Sequence, residues 1–236
     1  MNRATDGYRR VRARINRQRR LQGELLVSKN KVQRVMQMYR LVLPKSGTRR
    51  ERPHTGQVIT MRSNLRYCSD ILEIHCWDGK EVHVGFSLDC HDREAMAYVM
   101  RPRDLTHHEI IELMDRTVTH RFGETIEKLP QPIQWLSDLG GQYIAEETRQ
   151  YGQDWGFEVI NTPAYSPQSN GMAEAFVKLF KRDYVYANDL WTAESVMRMI
   201  PVWFDDYNRN HPHSGLDFRS PLEYRNEAFL DQQLSV

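Results

Sequence analysis

From Tyr67 to Met100 the sequence alternates in twos, and beyond Thr106 helical and extended stretches take turns; that succession limits the available folds more than any other feature. Tyr67 to His75 alternates, Asp78-Gly79 supplies a hairpin turn, Val82 to Leu88 alternates again, and Ala95 to Met100 offers a third strand. Thr106 and Glu109 then form a capping box for a helix running to Phe122, with Gly123 as its stop. Ile133 to Leu136 predicts a fourth strand, about Ile144 to Trp155 a helix ended by Gly156, and Val159-Ile160 a fifth strand. A helix starts near Gly171, another after Thr192, and a last one at Ser220-Pro221, where proline suits the first helical position. Strand, strand, strand, helix, strand, helix, strand, helix is the order of an α/β domain.

The segment ahead of the strands is of another kind. Residues 1–52 carry 16 Lys or Arg against three acids, a net of +13, while residues 53–236 carry 17 against 28, a net of −11. A basic front on an acidic body suggests that the front holds a polyanion. Tyr8, Val11 and Ile15 fall at helical spacing among arginines, and Ser28 is a good N-cap for KNKVQRVMQMYRL. In that second helix Val32, Val35, Met36 and Tyr39 make one apolar stripe, with Lys29, Lys31, Arg34 and Arg40 around it. Two short helices joined by RRLQGELL resemble a helix-turn-helix whose second helix approaches a DNA groove; a basic hairpin contacting phosphates alone is the competing reading. The domains expected are thus a basic module at 1–43, a linker at 44–57 and a catalytic core at 58–236 with the C-terminal helices.

Several classes are set aside. No apolar run reaches the length of a membrane span, and arginines occupy the place of a signal peptide's apolar stretch, so a cytoplasmic, nucleoid-associated protein is expected. Cys68, Cys76 and Cys90 are odd in number and form no CxxC pair, and with His75, His83 and His91 they match no zinc spacing. No GxSxG, Walker loop or HExxH is present.

Carboxylates remain. Asp138 ends the fourth strand in WLSDLGGQY, and Gly140-Gly141 behind it leave room for another group. Glu174 lies in the first turn of the helix from Gly171, with 35 residues between it and Asp138, enough for a helix, a strand and a loop. On that helix Phe176, Val177, Phe180 and Tyr184 face one way, and Glu174, Lys178 and Lys181 the other. A surface ion pair of Glu174 with Lys178 is the bland account. Asp70 is the choice for a third acid, because a carboxylate in mid-strand is costly without a partner that a metal would supply. Its rivals Asp89 and Asp92 stand at strand ends, where turn and capping roles are commoner. Phosphodiester chemistry suits such a set. Two Mg²⁺ about 3.5 to 4 Å apart can serve the attacking and leaving oxygens while held by a few carboxylates.

Taken together, CSD, SLDCHDRE, WLSDLGGQY, YSPQSNGMAEAFVKLFKRDY and YNRNHPHSGLDFRSPLEY resemble the integrase-like core of insertion-sequence transposases. The likeness is to the group whose enzyme is made by joining two overlapping reading frames, and it extends into GYRRVRARI and KNKVQRVMQMYRL, similar to the second helix-turn-helix module of that group. It implies a ribonuclease-H-like fold with a mixed five-stranded sheet flanked by helices. It implies a DDE transposase that cleaves element ends and transfers strands, with Asp70 bridging two Mg²⁺ ions and Asp138 and Glu174 each helping to hold one; Mn²⁺ would substitute. It implies that Lys178 and Lys181, with Arg182 beside them, touch terminal DNA, joining Lys29, Lys31 and Arg34 of the front. The Tyr165 to Gly171 loop would become ordered on DNA. The partners implied are duplex DNA at element ends and target, a second copy of the chain, and the upstream-frame protein.

The chain departs from the pattern in having Tyr67-Cys68 where many related cores carry a Trp, and Leu139 where many have Asn or Arg. It also lacks the a/d heptad run of an upstream leucine zipper, so it reads as the downstream frame. Two other readings compete: a truncated, non-cutting DNA-binding remnant that regulates transposition, and a ribonuclease-H-type nuclease acting on RNA-DNA hybrids.

Overall fold

The alternating stretches become three antiparallel strands, β1 (Arg66–His75), β2 (Glu81–Asp89) and β3 (Ala95–Arg101). β4 (Ile133–Ser137) and β5 (Phe157–Asn161) add on parallel to β1, giving the sheet order β3-β2-β1-β4-β5. The mixed five-stranded sheet expected from the resemblance is therefore present. The computed structural model describes residues 5–42, 60–162 and 170–234; the linker expected at 44–57 and residues 165–169 of the expected loop lie outside them. Contacts group the chain into two compact units, one of Met1–Pro53 with Asp206–Val236 and one of His54–Asp205. Read in chain order, the sequence had assigned all the C-terminal helices to the core.

Within the unit of His54–Asp205 the two sheet faces carry separate cores, as alternation requires. One face holds Tyr67, Trp135 and Ile133, packed with Ile110, Leu113 and Met114 of α3 (His107–Phe122) and Phe157 of β5. The capping box of α3 forms as expected, with Glu109 Oε2 accepting from both the backbone N–H and the hydroxyl of Thr106. The helix expected from Ile144 to Trp155 is instead two, α4 (Gly141–Ile144) and α5 (Glu146–Trp155). Ala145 between them takes an extended ψ of 138°, with no proline or glycine at that position to announce it. Gly156 ends α5 in the left-handed region at φ 98°, where a side chain would be strained.

The other face belongs to α6 (Gly171–Phe180) and the first part of α7 (Ala193–Asn210). Phe86 of β2 meets Phe176 at 4.5 Å between ring centroids, Tyr98 of β3 meets Phe204 at 4.4 Å, and Phe180 lies 4.9 Å from Phe204. The expected apolar side of α6 is thus found, though Val177 is only half-buried. Beyond Phe180 the helix does not continue regularly: Lys181–Val185 form a π-helical turn, closed by Tyr186 N–H donating to Lys181 O at 2.8 Å.

In the unit of Met1–Pro53 and Asp206–Val236, α1 (Tyr8–Leu21) and α2 (Lys29–Met38) form the expected hairpin, and α8 (Pro221–Leu234) follows later. Ser28 caps α2, accepting from Lys31 N–H at 3.3 Å. Asn16 of α1, buried, clamps the intervening turn: its amide donates to Val27 O at 3.1 Å and accepts from Val27 N–H at 2.8 Å. The apolar stripe on α2 is narrower than expected. Val32 and Met36 are buried, but Val35 and Tyr39 are 42% and 70% exposed.

Candidate active site

Asp70 and Asp138 come together through strand register. β1 and β4 are parallel neighbours whose last printed pair is Cys68 with Leu136, and each aspartate lies two residues beyond it. Period-two alternation puts both on the α6 face, at a spacing of about 4.8 Å between strands. On the other flank Asp70 is the direct cross-strand partner of Phe86. Phe86 packs on Phe176, two residues past Glu174, so one aromatic contact brings the first turn of α6 to the row that holds Asp70. Asn170, ahead of α6, adds a polar tie: its buried amide donates to Ser69 O at 3.2 Å.

The electrostatics agree with that placement. Burial, and then the charges of Asp138 and Glu174, lift Asp70 to a pKa of about 6, against a hydrogen bond from Ile71 N–H at 2.8 Å. Among the described residues no cation enters that balance. Asp138 is exposed and accepts from Gly140 N–H at 2.9 Å. Asn161 at the end of β5 donates to the Asp138 carbonyl at 3.1 Å and to Ser137 Oγ at 3.1 Å. Glu174 accepts from Lys178 at 3.3 Å, so the expected i,i+4 ion pair does form, with Lys178 74% exposed. Each of the three carboxylates thus has a protein donor, a backbone N–H for Asp70 and for Asp138 and the Lys178 ammonium for Glu174. Among the described residues no three His, Cys, Asp or Glu side chains stand as a ready-made metal cage.

Behind the pair the sheet is sealed. Tyr143 of α4 is fully buried, shares a 2.7 Å hydrogen bond with Ser69 Oγ, and has its phenol pushed well above the usual range by burial. Gly140 leaves no spare room. A Cβ there would stand 3.0 Å from Asp138 Oδ1 and 2.6 Å from Gln142 Nε2.

Known proteins share the sequence and the fold of this chain. Two family models described as integrase core domain match residues 61–167 and 156–221. The transposase InsD for insertion element IS2A/D/F/H/I/K of Escherichia coli is 39% identical over 222 residues, 93% of this chain and 73% of that protein. The chain belongs to the insertion-element transposases. The transposase InsD for element IS2D of Escherichia coli strain K12 matches to the same extent, 39% over 93% of this chain and 73% of that protein. DNA cleavage and strand transfer is the general reaction of this family. Solved structures share the fold: a simian T-cell lymphotropic virus intasome in complex with PP2A regulatory subunit B56 gamma (TM-score 0.57, 14% identity, 89% of this chain and 69% of that chain), and the HTLV-2 integrase catalytic core domain in complex with magnesium (TM-score 0.52, 10% identity, 70% and 97%).

In this transposase the rival acids have other work. Asp89 accepts from Asn64 N–H at 2.8 Å and His91 N–H at 2.7 Å. Asp92 takes Ser63 Oγ at 2.7 Å and both oxygens meet Arg121 at 2.9 Å. Glu94 lies 3.3 Å from the same guanidinium and 2.8 Å from His120 Nε2. All three acids are fully buried, and the cluster pins the approach to β1 against the β2–β3 turn.

The basic residues chosen from the sequence fare differently from one another. Lys178 and Lys181 follow Glu174 on α6 and its π-helical extension, whereas Arg182 makes two 2.6 Å bonds to buried Asp183. Lys29, Lys31 and Arg34 are exposed on α2. Asn170, Tyr143 and Asn161 escaped sequence reasoning, because their partners lie 101, 74 and 24 residues away. A polar residue at the end of a strand parallel to the aspartate's own was the one available signal, and it applied to Asn161.

Proposed function

We propose that Asp70, Asp138 and Glu174 are the catalytic carboxylates with which this transposase cuts and rejoins DNA at the ends of an insertion element, holding two Mg²⁺ ions for which Mn²⁺ substitutes. The observation that carries the reading is Asp70: a half-buried carboxylate set by strand register beside Asp138, whose pKa is lifted to about 6 by burial and by two neighbouring acids, with no cation among the described residues to offset them. Hard divalent cations suit such an all-oxygen donor set. When bound, the ions would supply a deprotonated attacking oxygen and neutralise charge on the phosphoryl group.

The chain's own residues supply the rest. Asp70, set in the sheet between β2 and β4, is the fixed member, and the Gly140 N–H and Asn161 hold the Asp138 loop beside it. Glu174 exchanges Lys178 for the site, which frees the ammonium for a backbone phosphate of the DNA end. Lys181 lies one turn further along. Arg182 is the weakest of the three proposed contacts, since Asp183 already holds its guanidinium. The buried Ser69–Tyr143 pair closes the sheet beneath, so DNA approaches from the α6 face. Two element ends are processed together, so we take the working form to be an assembly of at least two copies on DNA, with the upstream-frame protein as a further partner.

The test is cleavage and strand transfer of element-end duplex by the purified chain in Mg²⁺, Mn²⁺ or EDTA, with and without the upstream-frame protein. Asp138→Asn should lose at least about a thousandfold, roughly 4 kcal/mol of barrier, while binding DNA as before. Undiminished activity in Asp138→Asn removes the proposed site. Binding with no cutting under any condition turns the chain into a regulator, and preference for an RNA-DNA hybrid turns it into a ribonuclease-H-type nuclease.

A further inference from the structure

An asparagine ahead of a helix ordinarily turns its side-chain oxygen onto the N–H two or three residues on, and so closes one of the open donors of the first turn. Three helices of this chain are closed in that way. Ser28 accepts from Lys31 N–H at 3.3 Å ahead of α2, Thr192 from Ser195 N–H at 3.1 Å ahead of α7, and Ser220 from Glu223 N–H at 3.3 Å ahead of α8. Asn170 stands in the same place ahead of α6 and makes no such bond.

Its amide goes elsewhere. Nδ2 donates at 3.2 Å to the carbonyl of Ser69, the residue before Asp70, across 101 residues of sequence. The amide cannot be turned over, because Oδ1 against Ser69 O would set two acceptors face to face. Oδ1 is therefore left buried, with Asn170 8% exposed, and has no hydrogen-bond partner among the described residues. An uncapped first turn and an unpaired buried acceptor both lower stability. Features of that kind collect where geometry serves a reaction and not the fold.

Two acids stand on either side of this residue. The main-chain carbonyl of Asn170 accepts from Glu174 N–H at 3.1 Å, closing the first turn of α6 around the glutamate. Its side chain meanwhile grips β1 one residue ahead of Asp70. Ser69 is itself immobile, fully buried and bonded through Oγ to Tyr143 at 2.7 Å. The Phe86–Phe176 contact is non-directional, whereas a hydrogen bond to a strand carbonyl fixes both direction and depth.

We propose that Asn170 is a positioning residue for cutting and joining: through its side chain on Ser69 and its main chain on Glu174, it sets the α6 carboxylate against Asp70. In this role it touches neither DNA nor the reacting atoms and acts only through the two acids. The inference rests on the reading that Asp70, Asp138 and Glu174 carry the chemistry.

The test is Asn170→Ser in the full chain, beside Asn170→Ala and Asp138→Asn. Serine caps a helix as well as asparagine does, but its hydroxyl is one bond shorter and does not reach Ser69 O. The thermal midpoint and binding of element-end duplex should therefore stay level, while cleavage and strand transfer fall roughly 10- to 100-fold. Mn²⁺ binding to the DNA-free chain, followed by the electron spin resonance of free Mn²⁺, should weaken over a similar range, roughly 10- to 100-fold. Asn170→Ala should lose as much turnover, since it too lacks the tie. A midpoint that falls in step with turnover makes Asn170 an ordinary structural residue and overturns the inference. So does an Asn170→Ser chain that cuts and binds Mn²⁺ as the wild type does. Asp138→Asn separates the two readings: if it is inactive while Asn170→Ser cuts undiminished, this inference alone falls. If Asp138→Asn also cuts undiminished, the catalytic reading falls and takes this one with it.

Discussion

Asp89, Asp92 and Glu94 on one side, and Asp70, Asp138 and Glu174 on the other, are two acidic triads in the same unit, and the protein treats them in opposite ways. The first is buried without remainder around Arg121, itself 4% exposed, and its oxygens also take backbone N–H groups. The second opens to solvent at Asp138 and Glu174, and its neighbours' charges add to the burial of Asp70 instead of offsetting it. Asp89 and Asp70 both reach a pKa of about 6, so the shift does not separate them. The partners do. Burial and Asp92 raise Asp89 while Arg121 pulls it down, whereas among the described residues a backbone N–H alone opposes the rise at Asp70. A carboxylate cluster built around a buried guanidinium is a fastener, whereas in the second group the exposed Lys178 pairs with Glu174 and, among the described residues, no cation offsets the charge on Asp70.

The comparison breaks most visibly at Arg121. Arg121→Met should strand three buried carboxylates and cost about 3 to 5 kcal/mol, with part recovered as pH falls and the acids protonate; urea denaturation at pH 8 and pH 5 measures both. An equal midpoint in the variant would mean that the first triad is not held by its arginine.

Gly140→Ala tests whether the second triad depends on fine placement. The added methyl presses on Asp138 Oδ1 from 3.0 Å, so turnover should fall about tenfold, about 1.4 kcal/mol of barrier, with little change in thermal midpoint. Equal turnover would show that the Asp138 loop yields without consequence.

Glu109 supplies an intermediate case. Burial alone would raise it, but the Thr106 hydrogen bonds and then Arg103 outweigh that and hold it at about 2. A depressed carboxylate contributes stability above its unfolded pKa and loses it as pH falls, here from about 4.5 toward 2. Thr106→Ala should cost about 1 kcal/mol at pH 7, and less at pH 3, by thermal melts.

Asp70 has the opposite sign and the smallest effect. Its raised pKa means that stability is greatest below about pH 4 and declines as pH rises through 6. In EDTA, Asp70→Asn should therefore match the wild type at pH 4 and exceed it by less than about 1 kcal/mol at pH 7.5, because the group is partly solvated. A variant less stable than the wild type at pH 7.5 would show that Asp70 is structural.

Much of this was legible in the sequence because it is local or periodic. The alternation of β1 to β3, the Thr106 box, the Ser28 cap and the turn chemistry around Asp89 and Asp92 are decided within a few residues. Asp70 stood out because a mid-strand acid contradicts its surroundings. What was not legible depends on distant partners: the 29-residue reach from Asp92 to Arg121, or the amide of Asn170 on Ser69. The π-helical turn after Phe180 was hidden too, since one extra residue in a helix leaves the apolar spacing of Phe176, Phe180 and Tyr184 intact.

The parallel pairing of β1 with β4 has a consequence for how such a protein can change. The gap between Asp70 and Asp138 is gauged first by the hydrogen-bond ladder, whose last pair lies two residues before each, and then by the Asn161 amide on the Asp138 carbonyl, so replacing core residues cannot widen or narrow it gradually. A slip of one residue would turn Asp138 to the opposite side of the sheet altogether. Adjustment during evolution is therefore left to the helical arm carrying Glu174, whose seating on Phe86 is a matter of ring shape and can be varied in small steps.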